Sequence, residues 1–196
     1  MQDVWALFEC DAKKGGYFVD FGATNGTTMS NSLILARKFG WSGIVAEPNP
    51  VFHERLHRLR KCDISVKCVH SHSAGTLDFI CAEHPMFSRL GVASEGAQIA
   101  QIEQTIPAQT ISLNDLLDEY DAPDLIDFIS IDTEGSEFDI LSAFDFSKRR
   151  VNMFTIEHNF QPRRDQINSL MQENGYVRRF AEMSRFDDWY IRNDLV

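Results

Sequence analysis

Four acidic side chains each lie at the end of a short apolar run, where a carboxylate can bind a cation or accept a proton. They are Asp20, Glu47, Asp132 and Glu157. Apolar runs of this length are typical of buried strands, and ligands bind parallel sheets beyond the carboxyl ends of their strands. Core packing alone does not explain carboxylates at four strand ends. We therefore expect these side chains to share one site.

The loop after the first apolar run predicts the kind of cofactor. A dinucleotide-binding loop reads G-x-G-x-x-G, and its middle glycine lets the backbone approach a pyrophosphate. Here the glycines are Gly22 and Gly26, and Thr24 occupies the middle position. Asp20 precedes the loop, and a carboxylate attracts a cation and repels a phosphate. The loop therefore predicts a positively charged nucleoside without phosphate, such as S-adenosylmethionine, with Glu47 accepting from the ribose hydroxyls.

Length, composition and charge favour one folded domain over residues 1–196 and argue against a nucleic-acid partner. Of the 196 residues, 43% are hydrophobic, and the net charge is −10. Thirteen acidic residues and no Lys or Arg lie between positions 90 and 147. Because binding to nucleic acid depends on Lys and Arg at the phosphates, we do not expect a nucleic-acid substrate. No segment approaches the roughly 20 apolar residues that span a membrane.

The cysteines and the N-terminal residues predict a cytoplasmic protein. The four cysteines are isolated in the sequence and form no CxxC pair. We therefore expect reduced thiols rather than disulfides or a metal site. Residues 1–14 mix Asp, Glu and Lys with apolar residues, a composition unlike that of a signal peptide.

Strands and helices alternate along the chain, which predicts a parallel sheet with right-handed crossovers. Strands are predicted at 17–21, 43–47, 64–69, 77–81, 126–131, 151–156, 175–180 and 189–192. Helices are predicted at 27–39, 49–59, 135–144 and 162–173, with a further one that begins at Ser112. The last two strands are close enough in sequence to form a hairpin, which adds one antiparallel strand.

Residues 82–109 interrupt this alternation. Gly, Ser, Gln and Pro are frequent in the segment, and its apolar residues follow no clear period. Loops on α/β scaffolds carry specificity, so we predict an excursion that faces the substrate.

Four motifs in this order resemble the FkbM-type methyltransferases, which belong to the class I S-adenosylmethionine-dependent superfamily: VDFGATNG, AEPNP, SIDTEGSEFDIL and TIEHNF. The glycine loop occurs in many proteins, whereas ID-x-EG-x-E followed by EHN is more specific. The resemblance spans residues 16–192. It implies a Rossmann-like three-layer α/β/α sandwich, whose seven-stranded, mostly parallel sheet has one antiparallel strand in a C-terminal hairpin. The implied activity is methyl transfer, mostly to hydroxyl oxygens of sugars, polyketides or other small molecules.

The resemblance also implies roles for individual residues. The residues that it places around the methionine part of the cofactor are Asp20, Gly22, Asn25 and Gly26. Those that it places near the ribose and the adenine are Glu47, Pro48, Asn49, Ser71 and His72. Asp132 ends the strand next to the transferred methyl group.

Methyl transfer to an alcohol requires help with the hydroxyl proton, because a neutral alcohol is a weak nucleophile. His158 is the preferred base, since its ordinary pKa of about 6.5 suits neutral pH. Glu157 or Asp132 would orient it or accept from the substrate. The alternative is Mg²⁺, bound by Asp132, Glu157 and Asn159 with nitrogen from His158, which would acidify the hydroxyl.

Three further functions compete with O-methyl transfer. A nicotinamide-dependent oxidoreductase would use a related sheet, but the missing middle glycine argues against it. A non-catalytic cofactor-binding or scaffold domain would not need Asp132 and the EHN motif. An N-methyltransferase stays open, because an acidic pocket attracts an amine acceptor.

Overall fold

The computed structural model describes residues 1–91 and 101–196. The strands in this part of the chain are β1 (Tyr17–Phe21), β2 (Ser42–Ala46), β3 (Asp63–Ser65), β4 (Cys68–His70), β5 (Thr76–Ala82), β6 (Arg89–Leu90), β7 (Ile102–Ser112), β8 (Leu125–Ile131), β9 (Arg150–Glu157), β10 (Tyr176–Arg179) and β11 (Asp187–Arg192). The helices are α1 (Gln2–Glu9), α2 (Leu33–Phe39), α3 (Pro50–Leu59), α4 (Leu113–Glu119), α5 (Glu137–Ser142) and α6 (Arg164–Glu173), with 3₁₀ turns at Pro85–Phe87 and Asn193–Leu195.

The larger sheet has seven strands in the order β10-β11-β9-β8-β1-β2-β3. Its neighbouring strands are parallel except at β11, which is antiparallel to both β9 and β10. This arrangement confirms the predicted mostly parallel sheet with one antiparallel strand in a C-terminal hairpin.

Helices cover both faces of this sheet, because successive strand residues point to opposite faces and both sets are apolar. On one face, Val19 and Ile129 pack with buried residues of α4, α5 and α6. On the other face, Phe18 and Phe128 pack with buried residues of α1, α2 and α3. The three-layer α/β/α architecture is therefore confirmed. Within the described residues, the helices are too short or too polar to cross a membrane.

A second sheet has four strands in the order β4-β7-β5-β6. The prediction of one strand over 64–69 is wrong, because the chain divides there between the two sheets. Ser65 ends β3, and its hydroxyl accepts from the N–H of Lys67. Val66 is exposed at this break, although its apolar side chain fits the alternation of a continuous strand.

Strand β7 is a finding that the sequence pattern of 82–109 did not predict. It pairs with β5 along nearly its whole length in antiparallel register, and Pro107 pairs with Asp78. Most of 101–107 is exposed on this strand, so polar residues occupy both faces and hide the strand period. Part of the predicted excursion, 92–100, lies outside the described residues.

Two helix starts were predicted correctly. The side chain of Asn49 accepts from the N–H of Val51 at the start of α3, at 3.2 Å. The Ser112 hydroxyl accepts from the N–H of Asp115 at the start of α4, at 3.1 Å. Both are N-caps that satisfy a free helix donor.

The prediction of a helix over 27–39 is wrong in its first turns, because α2 begins at Leu33. The side-chain oxygen of Asn25 accepts from the N–H groups of Thr27 and Thr28, which folds a local turn instead of a helix. Gly40 ends α2 in the left-handed conformation, as predicted.

Candidate active site

A cavity of about 640 Å³ lies at the carboxyl edge of the larger sheet. The loop between β1 and α2 and the ends of β2, β8 and β9 form its floor. Phe79 and Leu90 of the second sheet and the 3₁₀ turn Pro85–Phe87 form an opposite wall. The volume falls in the range of about 300–1,000 Å³ that is typical of ligand pockets.

The structure brings six of the predicted site residues to the wall of this cavity. They are Asp20, Gly22, Glu47, Pro48, Asp132 and Glu157. Six others are not part of the wall: Asn25, Gly26, Asn49, Ser71, His72 and His158. The four acids from four different strand ends therefore do meet, as their spacing predicts.

Glu47, which directly follows β2, is held at the cavity wall by two backbone donors. One carboxylate oxygen accepts from the N–H of Thr24 and the other from the N–H of Asn49, both at 2.8 Å. Burial raises the pKa of Glu47 to about 7, although these hydrogen bonds favour the ionised form. Each oxygen keeps a second lone pair, so the carboxylate can accept further hydrogen bonds from a ligand.

Asp20, within β1, is buried and already has partners in the protein. Its carboxylate accepts from the hydroxyl of Ser32 at 2.5 Å and from that of Ser30 at 3.4 Å. Burial raises its pKa, whereas the Ser32 hydrogen bond and the nearby Arg60 lower it. The carboxylate therefore does not face the cavity as a free charge.

The two loop glycines are required for packing. A Cβ on Gly22 would lie 2.1 Å from the carbonyl oxygen of Asp132, so the loop can approach β8 only with glycine there. A Cβ on Gly26 would lie 2.6 Å from Leu56 and 2.7 Å from Arg60. Both glycines have positive φ, near 70° and 75°. Gly22 thus joins the loop to the active-site edge, and Gly26 joins it to α3.

The predicted residues outside the wall have other contacts. Asn49 caps α3, and its amide donates to the hydroxyl of Ser88 at 3.0 Å. The Ser71 hydroxyl lies 3.0 Å from Nδ1 of His70 and 3.2 Å from Nδ1 of His72. His70 ends β4, and His72 follows it. Because β4 belongs to the second sheet, Ser71 and His72 do not lie at the cavity wall, where the resemblance implied adenine contacts.

Three carboxylates cluster at the ends of β8 and β9. One oxygen each from Asp132, Glu134 and Glu157 lies within 4.8 Å of the others. Burial raises the pKa of all three, and repulsion from the neighbouring carboxylates adds to the effect. Asp132 and Glu157 also share a hydrogen bond, which requires a proton on one of the two carboxyl groups.

Glu137 is hydrogen-bonded to the loop that carries Glu134. One of its oxygens accepts from the N–H groups of Thr133 and Gly135 and from the Thr133 hydroxyl, each at 3.0 Å. These bonds hold the segment that carries Glu134, whose φ of 58° is left-handed. Glu137 is thus a buried structural acid, and Glu134 is the cavity acid that the sequence did not separate from it.

His158 lies behind the cavity wall. Its Nδ1 accepts from the N–H of Phe160 at 3.0 Å, and its Nε2 is 3.7 Å from an oxygen of Asp188. Two bonds from Arg164, at 2.9 and 2.8 Å, hold Asp188 in place. Burial lowers the pKa of His158. This placement gives no support to His158 as a base, whereas its neighbour Asn159 does line the cavity.

Sequence reasoning missed two groups of wall residues. The first lies in the segment that was predicted to be helical and includes Thr27, Thr28, Met29, Ser30 and Asn31. The second comes from other elements and includes Gln2, Cys68, Phe79, Phe186 and Asp187. Residues 85–88 and 90 also line the cavity, and they belong to the segment 82–109 that the sequence predicted to face the substrate.

The cavity wall is strongly acidic. Its carboxylates are Asp3, Asp20, Glu47, Asp132, Glu134, Glu157 and Asp187. Among the described wall residues, the one basic side chain is Lys67, which donates to Glu119 at 2.5 Å. Such a lining favours cationic or neutral ligands over phosphates.

Two solved structures are similar to this chain. An FkbM methyltransferase from Methylobacillus flagellatus KT has a TM-score of 0.54 and 15% identity, over 90% of this chain and 43% of that chain. This chain therefore spans less than half of that protein's length. A precorrin-6y C5,15-methyltransferase from Geobacter metallireducens GS-15 has a TM-score of 0.48 and 12% identity, over 96% and 85% of the two chains.

At 15% identity, the likeness to the Methylobacillus flagellatus protein bears on the fold alone. No match was found among curated proteins. The sequence model of the methyltransferase FkbM domain, however, matches residues 20–178, which is most of the chain. With the predicted sheet confirmed and the four acids at one edge of it, the chain belongs to the FkbM methyltransferase domain family.

Proposed function

We propose that this protein is an S-adenosylmethionine-dependent O-methyltransferase that acts on a hydroxyl group of a small molecule or sugar. The observation that carries the proposal is the acidic cavity at the carboxyl edge of the sheet, where Glu47 and the Asp132–Glu157 pair face one space. Family membership supports methyl transfer as the reaction.

The residues at the cavity fit a cationic nucleoside cofactor. Glu47 has lone pairs free for the two ribose hydroxyls, because its backbone donors use only one on each oxygen. Pro48 lies beside it at the wall. No arginine belongs to the described wall, which agrees with a ligand that lacks phosphate. When bound, the cofactor supplies a methyl group on a positively charged sulfur.

The Asp132–Glu157 pair is the best-placed base for the acceptor hydroxyl. Once one carboxyl of the pair is ionised, it can accept a hydrogen bond and then a proton from the acceptor, while the other carboxyl keeps its own proton. A carboxylate with a raised pKa is a stronger base than an ordinary one and transfers the proton at a lower cost. The cavity wall also holds the acceptor in line, and alignment supplies much of the acceleration.

Two alternatives share the same cavity. Mg²⁺ could bind the oxygens of Asp132, Glu134 and Glu157, which are close enough to coordinate one ion. An amine acceptor would also suit the excess of carboxylates over basic side chains. A cytoplasmic location and the class of acceptor stay predictions from the sequence.

Calorimetric titration with S-adenosylhomocysteine tests the proposal. We expect micromolar binding after chelation of divalent ions, and no binding of NADH, which serves as the control ligand. Binding that appears only when Mg²⁺ is restored would make the carboxylates metal ligands instead of a base. Absence of binding in both conditions would rule out the methyltransferase and favour the scaffold alternative.

A further inference from the structure

A buried arginine lies under the loop between β1 and α2. Arg60 follows the last residue of α3 and is only 5% exposed, and no carboxylate of the described residues lies within ion-pair distance of it. A buried charge is costly unless hydrogen bonds compensate it. Hydrogen bonds must therefore compensate the buried guanidinium of Arg60.

Three hydrogen bonds join the Arg60 guanidinium to this loop, and the thiol of Cys62, outside the loop, also contacts the guanidinium. One guanidinium nitrogen donates to the carbonyl of Gly26 at 3.3 Å and to the hydroxyl of Ser30 at 2.9 Å. The other donates to the hydroxyl of Ser32 at 2.8 Å. The guanidinium also lies over the ring of Phe18, 5.4 Å from its centroid. A rigid fork thus fixes three points of one loop.

The two serines connect Arg60 to Asp20. Ser32 accepts from Arg60 and donates to the Asp20 carboxylate at 2.5 Å, and Ser30 does the same over 3.4 Å. Asp20 and Ser30 line the cavity, whereas Arg60 does not. The guanidinium lowers the pKa of Asp20 against the effect of burial, and thereby favours its ionised form.

We infer that Arg60 is a positioning residue of the donor site: it fixes the loop and balances the charge of Asp20, so that this end of the cavity is close to neutral. The inference rests on the proposed function. The negative charge that attracts a cationic donor then comes from the other carboxylates of the cavity wall. Arg60 consequently affects how strongly the site distinguishes charged S-adenosylmethionine from uncharged-sulfur S-adenosylhomocysteine.

The test is calorimetric titration of the whole chain with these two compounds, for Arg60→Gln, Asp20→Asn and the double variant. Where Asp20 is ionised, as its hydrogen bond from Ser32 favours, loss of the arginine leaves that charge unbalanced. The ratio of the two dissociation constants should then shift toward S-adenosylmethionine, by about three- to tenfold. Asp20→Asn should shift it in the opposite direction, and the double variant should return it toward the wild-type value. Arg58→Gln, an exposed position in the same helix, is the matched control and should leave the ratio unchanged.

Arg60→Lys is the second variant, in case Arg60→Gln does not fold. Lysine keeps the charge but not the fork, so affinity for both compounds should fall equally while their ratio stays constant. An equal loss of both affinities in Arg60→Gln, or unchanged affinities in Arg60→Lys, would overturn the inference. If wild-type protein binds neither compound, the proposed function has failed instead.

Discussion

At the scale of single residues, the placement of Asp132 and Glu157 favours this pair over His158 as the proposed base. Both line the cavity and share a proton, whereas His158 lies behind the wall with its Nδ1 occupied by the N–H of Phe160. Sequence spacing located the strand ends correctly but did not reveal which way each side chain points. In EHN, residues 157 and 159 reach the cavity, and residue 158 points to the opposite side of the strand end.

The first prediction concerns the carboxylate pair. Asp132→Asn or Glu157→Gln should lower turnover by about 10²- to 10⁴-fold, because each change removes the paired base. Affinity for S-adenosylhomocysteine should stay within about tenfold, since the backbone and Glu47 are unchanged. Transfer of label from the methyl donor to a screened acceptor measures turnover. Glu173→Gln, exposed at the end of α6, is the control for loss of one acid.

The second prediction distinguishes His158 from that pair. In His158→Asn the amide oxygen can still accept from the N–H of Phe160, so the loop should keep its shape. We expect turnover within about tenfold of wild type, because a base makes a contribution of 10² or more. The measurement is turnover of His158→Asn compared with turnover of Asp132→Asn under the same conditions. A loss as large as in that variant would restore His158 as the base, as the sequence first indicated.

At the scale of elements, the strands of the larger sheet and most helices could be predicted, and the exposed strand β7 could not. Runs such as 126–131 are apolar on both faces because helices cover both sides of the larger sheet. Strand β7 has no such pattern, since much of it is exposed. The loop after β1 was predicted as a helix because Thr27 and Thr28 are good N-caps. The side chain of Asn25 uses their N–H groups in a turn instead.

A third prediction tests how tightly the loop and β8 meet. Gly22→Ala and Gly40→Ala place a side chain at nearly the same positive φ, 70° and 68°. Nothing lies within 4 Å of a Cβ at Gly40, whereas the Asp132 carbonyl lies 2.1 Å from one at Gly22. Gly40→Ala should cost about 1 kcal/mol, and Gly22→Ala about 1–3 kcal/mol more. Urea denaturation measures both, and equal costs would contradict the close contact.

At the scale of the whole molecule, the acids of the cavity make stability depend on pH. Burial raises the pKa of Glu47 and of Glu134 to about 7 and that of Asp187 to about 6. Their unfolded values are near 4, so the folded chain binds more protons between these limits. Stability is therefore fully present below the unfolded pKa and falls as pH rises through the folded pKa.

The fourth prediction follows from this linkage. The free energy of unfolding should fall between about pH 4 and pH 7, the unfolded and folded limits of these groups. Glu134→Gln should reduce the slope, because it removes one of the groups that release a proton in this window. Denaturation curves at half-unit steps of pH measure the slope for this variant beside Glu173→Gln. A steeper slope in Glu134→Gln would show that its raised pKa is wrong.

The part of the cavity wall that the second sheet supplies comes from one continuous stretch of the chain, which could be exchanged with that of a homologous protein. His70 and Ser112 pair with each other at the ends of β4 and β7, so the segment between them leaves and returns at one edge. This segment supplies the wall formed by Phe79, Leu90 and the turn Pro85–Phe87. Glu47 and the Asp132–Glu157 pair lie outside it. If the proposed function holds, we expect an exchange of this segment to change which acceptor is methylated, while Glu47 and the Asp132–Glu157 pair keep their places.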